Sequence, residues 1–378
     1  MELNLKQKFL PVSKPLITKT DISAVNKVLK NGWISSEGPQ VKKFENLFSK
    51  YIKMKYSVAV SNGTAALEIA VKSLNLKKND EIIIPDFTII SNALAAIKNG
   101  NKIITIDCDK YDWNMKIDEI IKKINKNTKV IIATHIYNYP LKIHKLKNIC
   151  RKNKIYLIED AAEVLGQKIG KKLCGSFGDI STFSFYANKQ ITTGEGGMIC
   201  TNNYKYYKKI LSLRNLCFGK INRYNHEDIG WNYRITNIQA ALGISQLKRI
   251  NSIVKRREYI GAYYHKKLKD NQNIYIPPPI KNNIKNIYWV VGIVITNTKL
   301  KIDAKKLMKL LNIYGINTRA FFWPMHKQKI LLKKKLIRNQ VHKNSNFLSK
   351  YGLYLPNYLD IRDKDIDFIC SVLNKITK

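Results

Sequence analysis

The sequence predicts an α/β protein: a large domain on a mostly parallel seven-stranded sheet, then a smaller C-terminal α/β domain. Short β-branched runs alternate with amphipathic stretches from about residue 20 to 200. That pattern is expected of strand–helix–strand units whose sheet is covered on both faces. From residue 236 to 268 apolar side chains recur at helical spacing (Ile238, Ala241, Leu242, Ile244, Leu247, Ile250, Ile253, Val254), and Pro277-Pro-Pro279 punctuates the end. Strand-like and helix-like segments then resume on a smaller scale. A chain of 378 residues accommodates one large domain and a companion. The expected division is 1–250 and 251–378.

Seven strands are expected at 56–60, 81–84, 102–106, 129–134, 155–159, 180–185 and 197–201. Helical periodicity lies between most of them, at 65–74, 90–98, 117–123 and 143–153. In the C-terminal part, 288–296 reads as a strand, 304–314 as a helix, 316–320 as a strand and 361–376 as a closing helix.

Lys and Arg number 67 against 27 Asp and Glu, a net charge of +40. Such a charge raises the question of nucleic acid, but its distribution argues against it. The lysines are scattered from end to end among Asn and Ile, the residues AT-rich codons supply, with no basic tail or finger. The field could still help to draw in a substrate carrying a diphosphate. The six cysteines form no C-x-x-C pair, and neither a zinc site nor a disulfide framework is expected. They read as small buried residues in a reducing compartment. The N-terminus lacks the apolar core of a signal peptide. The most apolar stretch, 81–97, is interrupted by Pro85, Asp86, Ser91 and Asn92. A soluble cytoplasmic protein without metal, membrane or nucleic-acid partners is expected.

Lys189 ends the aromatic run Ser181-Thr-Phe-Ser-Phe-Tyr-Ala-Asn-Lys189, which leads into Thr192-Thr-Gly-Glu-Gly-Gly197. Desolvation there disfavours the ammonium and frees a nucleophilic amine. A lysine in so lysine-rich a chain is ordinarily a solvated surface charge, and it is the flanking residues that reverse this reading. Upstream, Ile158-Glu-Asp-Ala-Ala-Glu163 is an apolar strand ending in carboxylates. A lysine able to form a Schiff base and an anion to keep a pyridine nitrogen protonated are what pyridoxal phosphate chemistry requires. Asp160 falls at the carboxyl edge of the sheet, where ligands of such folds gather. By itself it reads equally as a helix N-cap. Glu163, one helical turn on, could reach the cofactor's phenolic oxygen. Gly63 and Thr64, in Ser61-Asn-Gly-Thr64, open a helix whose first N–H groups can cradle phosphate. Ser184 shares a strand face with Thr182 and Tyr186 and could add a hydrogen bond. Arg319 and His326, in Ile316-Asn-Thr-Arg-Ala-Phe-Phe-Trp-Pro-Met-His326, are candidate ligands for an anionic substrate. A loop packed on its own aromatics is the equal alternative.

These pieces in this order resemble the pyridoxal-phosphate-dependent sugar-nucleotide aminotransferases of the DegT/DnrJ/StrS family, of PLP fold type I (aspartate aminotransferase-like). The resemblance covers nearly the whole chain. It rests most specifically on Phe183-Ser-Phe-Tyr-Ala-Asn-Lys189, Thr193-Gly-Glu-Gly-Gly197 and Asn232-Tyr-Arg-Ile-Thr-Asn-Ile-Gln-Ala-Ala241. Gly32-Trp-Ile-Ser-Ser36, Asp80-Glu-Ile-Ile-Ile-Pro85 and Glu159-Asp-Ala-Ala-Glu163 add to it. It implies amination at C4 of a nucleotide-linked 4-keto-6-deoxyhexose to a perosamine- or viosamine-type sugar. Pyridoxal 5′-phosphate would be the cofactor, passing through pyridoxamine phosphate, and L-glutamate the donor. Lys189 would be the Schiff-base lysine and acid/base. Asp160 would hold the ring nitrogen and Glu163 the phenolic oxygen, while Gly63, Thr64 and Ser184 would bind the phosphate. Asn232 would complete that site from the other subunit of a homodimer. Trp33, Arg319 and His326 would line the substrate side. Two departures stand out. Ile89 occupies the place of an aromatic that stacks on the cofactor, so either an aliphatic face serves or Phe87 compensates. The family's His-x-Tyr-Gly is here His135-Ile-Tyr-Asn138, where Asn tolerates the left-handed conformation. A C3-aminating or dehydrating relative, or a non-catalytic sensor of the same fold, are the alternatives, and the nucleotide is left open.

Overall fold

The computed structural model describes residues 9–137, 139–338 and 340–377. The Asn138 departure therefore lies outside the described residues. The seven expected strands form one sheet: β1 (Tyr56–Val60), β2 (Glu81–Pro85), β3 (Lys102–Ile106), β4 (Thr128–Thr134), β5 (Tyr156–Asp160), β6 (Ile180–Ser184) and β7 (Gly197–Thr201). Their order is β1-β7-β6-β5-β4-β2-β3. Only β7 runs antiparallel to its neighbours β1 and β6. The strands read as near-continuous Ile/Val runs because both faces are buried. Alternate side chains go to opposite cores. Val58, Val60, Ile82, Ile84 and Ile132 pack with the helix Gly63–Ser73 on one face. Ile83, Ile131, Ala133 and Leu157 meet Ile143 and Leu146 on the other. Further along that second face, Ala59, Phe183, Met198 and Cys200 pack against Phe44 and Phe48 of the helix Pro39–Ile52.

The helical stretch expected at 236–268 is two helices, Asn237–Lys248 and Ile250–Leu268. The chain turns at Arg249 (φ −102°, ψ 4°), whose guanidinium donates to the buried Asp21 carboxylate at 2.7 Å. That contact ties the turn to the helix Lys19–Lys30, which the periodicity reading passed over although Thr18 and Asp21 form a capping box at its start. The strand expected at 288–296 shortens to Val291–Ile295, because Tyr288 holds φ 45°. The strand expected at 316–320 shortens to Arg319–Ala320.

A second, antiparallel sheet carries Ile274–Tyr275, Val291–Ile295, Gly352–Leu355 and Arg319–Ala320 in that order. Its core includes Ile260, Tyr264, Ile293, Leu307, Leu353 and Ile366. Leu10 joins this core and exchanges backbone hydrogen bonds with Gly315 and Asn317 at 2.9 and 3.0 Å. Ile250 and Ile253, at the start of the helix Ile250–Leu268, pack instead with the first unit. We propose these as large and small domains, with that helix shared between them. All six cysteines are buried free thiols. Among the described residues no helix is long and apolar enough to cross a membrane.

Candidate active site

The carboxyl ends of β4, β5 and β6 converge on a cavity of about 730 Å³. Asp160 is the last residue of β5, in register with Thr134 and Thr182 on the flanking strands. One carboxylate oxygen accepts from Thr134 Oγ1 at 3.4 Å, the other from the Ala162 N–H at 3.2 Å. Asp160 is 3% exposed, and that burial raises its pKa although Lys189 and His135 favour the charged form. Glu163 accepts the Tyr137 N–H at 2.7 Å, and burial pushes its carboxyl up to about 8. Lys189 is half-buried at the cavity wall, its Nζ 3.6 Å from the centroid of the Trp289 indole. Loss of solvation lowers its pKa, opposed by the two carboxylates. The preceding Asn188 carbonyl is pinned by the Trp289 indole N–H at 2.9 Å and by the buried Arg257 at 3.4 Å. The lysine is thus oriented by Trp289 and by Arg257 of the helix Ile250–Leu268.

The helix Gly63–Ser73 points its first residues at the same cavity, with Asn62 as cap accepting the Ala65 N–H at 2.8 Å. A Cβ on Gly63 would lie 3.0 Å from that of Ser184, a tighter contact than side chains ordinarily make, so helix start and β6 pass close to each other. Thr64 pairs with Ser91 at 2.8 Å. The buried hydroxyls of Thr88 and Thr182 also line the cavity and have no partner among the described residues. A helix N-terminus, a glycine cradle, spare hydroxyls and a buried strand-end Asp form a donor and acceptor set that fits a phosphorylated pyridine.

The structure brings together Gly63, Thr64, Ile89, Asp160, Glu163, Ser184, Lys189 and Arg319. It sets three candidates apart. Trp33 is 59% exposed and lies by a different cavity, beside Asn237. Asn232 is exposed and outside the lining of the Lys189 cavity. His326 is 4% exposed and turned away: its Nδ1 lies 2.7 Å from the Asp86 carboxylate, whose other oxygen accepts the His326 N–H at 2.9 Å. Phe87 does not compensate for Ile89, because it is fully buried against Tyr137, Phe321 and Phe322. Three contributors were missed. Tyr137 holds φ 54° and stacks on Phe322, Trp289 underlies the lysine, and Tyr354 stands opposite Arg319 in register. Nothing local in the sequence marks them: Phe322 lies 185 residues from Tyr137, Asn188 lies 101 from Trp289, and Tyr354 meets Arg319 across a sheet.

The profile of the DegT/DnrJ/EryC1/StrS aminotransferase family matches residues 15–374. GDP-perosamine synthase of Escherichia coli O157:H7 is 34% identical over 368 residues, 97% of this chain and 98% of that protein. The enzyme of the same name from Vibrio cholerae is 32% identical over 367 residues, 96% and 98% of the two chains. Among solved structures, Helicobacter pylori PseC, an aminotransferase of pseudoaminic acid biosynthesis, superposes with a TM-score of 0.92 at 24% identity, covering 98% of this chain and 99% of the other.

Proposed function

Because the chain belongs to the DegT/DnrJ/EryC1/StrS aminotransferase family, we propose that it aminates C4 of a GDP-linked 4-keto-6-deoxyhexose, with L-glutamate as donor. The product is the corresponding 4-amino-4,6-dideoxy sugar. The protein is an aminotransferase, and pyridoxal 5′-phosphate is the cofactor of its family. The relatives named for GDP-perosamine support the nucleotide and the position aminated. The observation that carries the reading is Lys189, half-buried over an indole and facing the charges of two buried carboxylates.

When bound, the cofactor supplies an electron sink for the carbon that loses its proton. Lys189 is the group to move that proton, since desolvation raises its neutral fraction near neutral pH. Asp160 would face the ring nitrogen; its burial makes the carboxylate costly alone and favourable once paired with a protonated ring. Glu163 would meet the phenolic oxygen, held by the Tyr137 N–H. The Gly63 and Thr64 N–H groups and the Ser184 hydroxyl would hold the phosphate, and Asn232 of a second copy would complete it in a homodimer. Arg319, at the cavity wall, suits the anionic part of the substrate. Six free thiols support a reducing, cytoplasmic setting.

A dehydrating relative carries His in the place of Lys189, and the lysine here favours amination. The test is direct. The purified protein should lose the visible absorbance of its bound cofactor on adding L-glutamate, then return it with a GDP-linked 4-keto-6-deoxy sugar. Mass spectrometry over a panel of nucleotide-linked 4-keto sugars identifies the product. An absorbance indifferent to glutamate sinks the aminotransferase mechanism proposed for this site.

A further inference from the structure

Behind the Asp160 end of the catalytic cavity lies a second polar cluster, which the chemistry above does not use. Thr134 and Asp160, paired in register on β4 and β5, both line the cavity. Side chains alternate along a strand, so their chain neighbours His135 and Glu159 turn to the other side, where neither lines the cavity and both are fully buried. Glu159 accepts five hydrogen bonds there. One oxygen takes His135 Nε2 at 3.0 Å and the Gly175 N–H at 2.6 Å. The other takes the Phe177 and Gly178 N–H groups at 2.7 and 2.9 Å and Ser181 Oγ at 3.4 Å. Among the described residues it has no lysine or arginine within ion-pair distance. Burial by itself would raise its pKa, but the His135 hydrogen bond and the backbone N–H groups hold it below the usual carboxylate range. A buried anion is tolerated when its lone pairs are filled, and these are.

His135 is fixed as tightly. Its Nδ1 lies 3.0 Å from the Leu141 N–H, which can only donate, so the ring carries its proton on Nε2 and donates it to Glu159. The Cys174 sulfur lies within 4.8 Å of both groups, a spacing that a metal ion could use. The hydrogen bonds argue against one, because Nε2 holds a proton and both Glu159 oxygens are filled.

What the pair holds is the cavity on the other face. The His135 backbone N–H donates to the Asp160 carbonyl at 3.2 Å. Thr134, one residue before, donates its hydroxyl to the Asp160 carboxylate at 3.4 Å. Tyr137, two residues after, donates its N–H to Glu163 at 2.7 Å. Both cavity carboxylates therefore hang on the segment 134–137, and its His135 is anchored to Glu159.

We propose that Glu159 and His135 are the positioning pair of this active site, fixing the segment 134–137 against β5 and so setting where Asp160 and Glu163 stand relative to the cofactor. The inference rests on the roles given above to those two carboxylates.

Pyridoxal phosphate titrated into the cofactor-free protein, followed by absorbance and visible circular dichroism, tests it. His135→Phe keeps a ring and removes both ring hydrogen bonds, whereas His135→Gln returns an N–H toward Glu159. His135→Phe should weaken cofactor affinity by about tenfold, the loss of one hydrogen bond to a charged group. It should slow the reaction with glutamate by about tenfold or more at nearly unchanged KM, as misplacement of reacting groups does. The circular dichroism of the bound cofactor should change, and His135→Gln should recover most of each loss. A purely structural role lowers the thermal midpoint alone, so a folded His135→Phe with wild-type affinity, circular dichroism and kcat overturns the pair. Histidine-selective nitrogen NMR of the wild type should find the His135 ring proton on Nε2. Should His135→Phe not fold, that tautomer and the Gln variant decide. Wild-type affinity in His135→Gln with the proton on Nε2 supports the pair; lost affinity there, or a proton on Nδ1, overturns it. A stoichiometric divalent metal that Cys174→Ser loses would also overturn it. A wild type that binds the cofactor but ignores glutamate instead overturns the aminotransferase mechanism, since cofactor affinity is read separately.

Discussion

At the scale of single residues, the site is a set of ionisable groups taken out of water and left for a ligand to neutralise. Lys189→Ala should abolish turnover with the fold intact, since the side chain is half-buried over Trp289 and removing it leaves no closed cavity in either core. Circular dichroism and the absence of product check this together; wild-type-like turnover would end the assignment. Asp160→Asn should lower kcat by about 10²–10⁴-fold while the cofactor stays bound through its phosphate, because only the anion is lost. Equal loss of binding and rate would instead mark Asp160 as structural. Glu163 carries the clearest pH signature. Burial raises its pKa from 4.5 to about 8, so in the cofactor-free protein folding takes up a proton there. Its contribution to stability is full below about 4.5 and is lost as pH rises through 8. Thermal midpoints of the cofactor-free protein should therefore fall across this window, and Glu163→Gln should flatten that slope. An unchanged slope in the variant contradicts the proton uptake.

At the scale of elements, the site depends on the close approach of β7 to the turn that opens the helix Gly63–Ser73. A Cβ on Gly197, the first residue of β7, would meet the Asn62 carbonyl oxygen at 2.5 Å and its carbon at 2.7 Å. Those are backbone atoms of the residue that caps the helix, and they cannot rotate away as a side chain could. Gly197→Ala should destabilise the protein by about 1–3 kcal/mol, as overpacking does, and should also weaken cofactor retention by displacing the phosphate turn. Chemical denaturation and spectrophotometric titration measure the two effects. Stability and retention both equal to wild type would show that the turn adapts. The same scale explains a shared burden on Tyr137. Its N–H holds Glu163, its ring stacks on Phe322 at 4.9 Å, and its hydroxyl accepts the Phe322 N–H at 3.2 Å. One left-handed residue thereby joins the cofactor end of the cavity to the wall that carries Arg319.

At the scale of the whole molecule, Asn232 is the telling residue, because it is exposed and absent from its own cavity. If it serves a second copy, Lys189→Ala and Asn232→Ala spoil different halves of one shared site. Co-refolding equal amounts should restore about a quarter of wild-type activity at most, since half of randomly paired dimers are mixed and each has one intact site of two. No recovery from stable, well-mixed dimers would assign Asn232 to its own subunit's surface.

Strand–helix alternation, the seven strands and the residues gathered at their carboxyl ends were legible in the sequence. Each of these signals is local: a period of two, an apolar run stopped by Asp160, a glycine at a helix start. The Lys189 environment was legible for the same reason, its flanking aromatics being adjacent in the chain. The turn at Arg249 was not, because it is held by Asp21, some 230 residues away in sequence. Nor was the fate of His326. Its loop reads as a substrate wall, and only packing showed that Asp86 takes its ring and backbone N–H inward, so that of the two candidates Arg319 is the one on the cavity. The sequence by itself determined which residues could do the chemistry, since propensity and patterning act over a few residues. Tertiary structure decided which of them face one another. That choice is made by burial and long-range pairing, whose partners no local window contains.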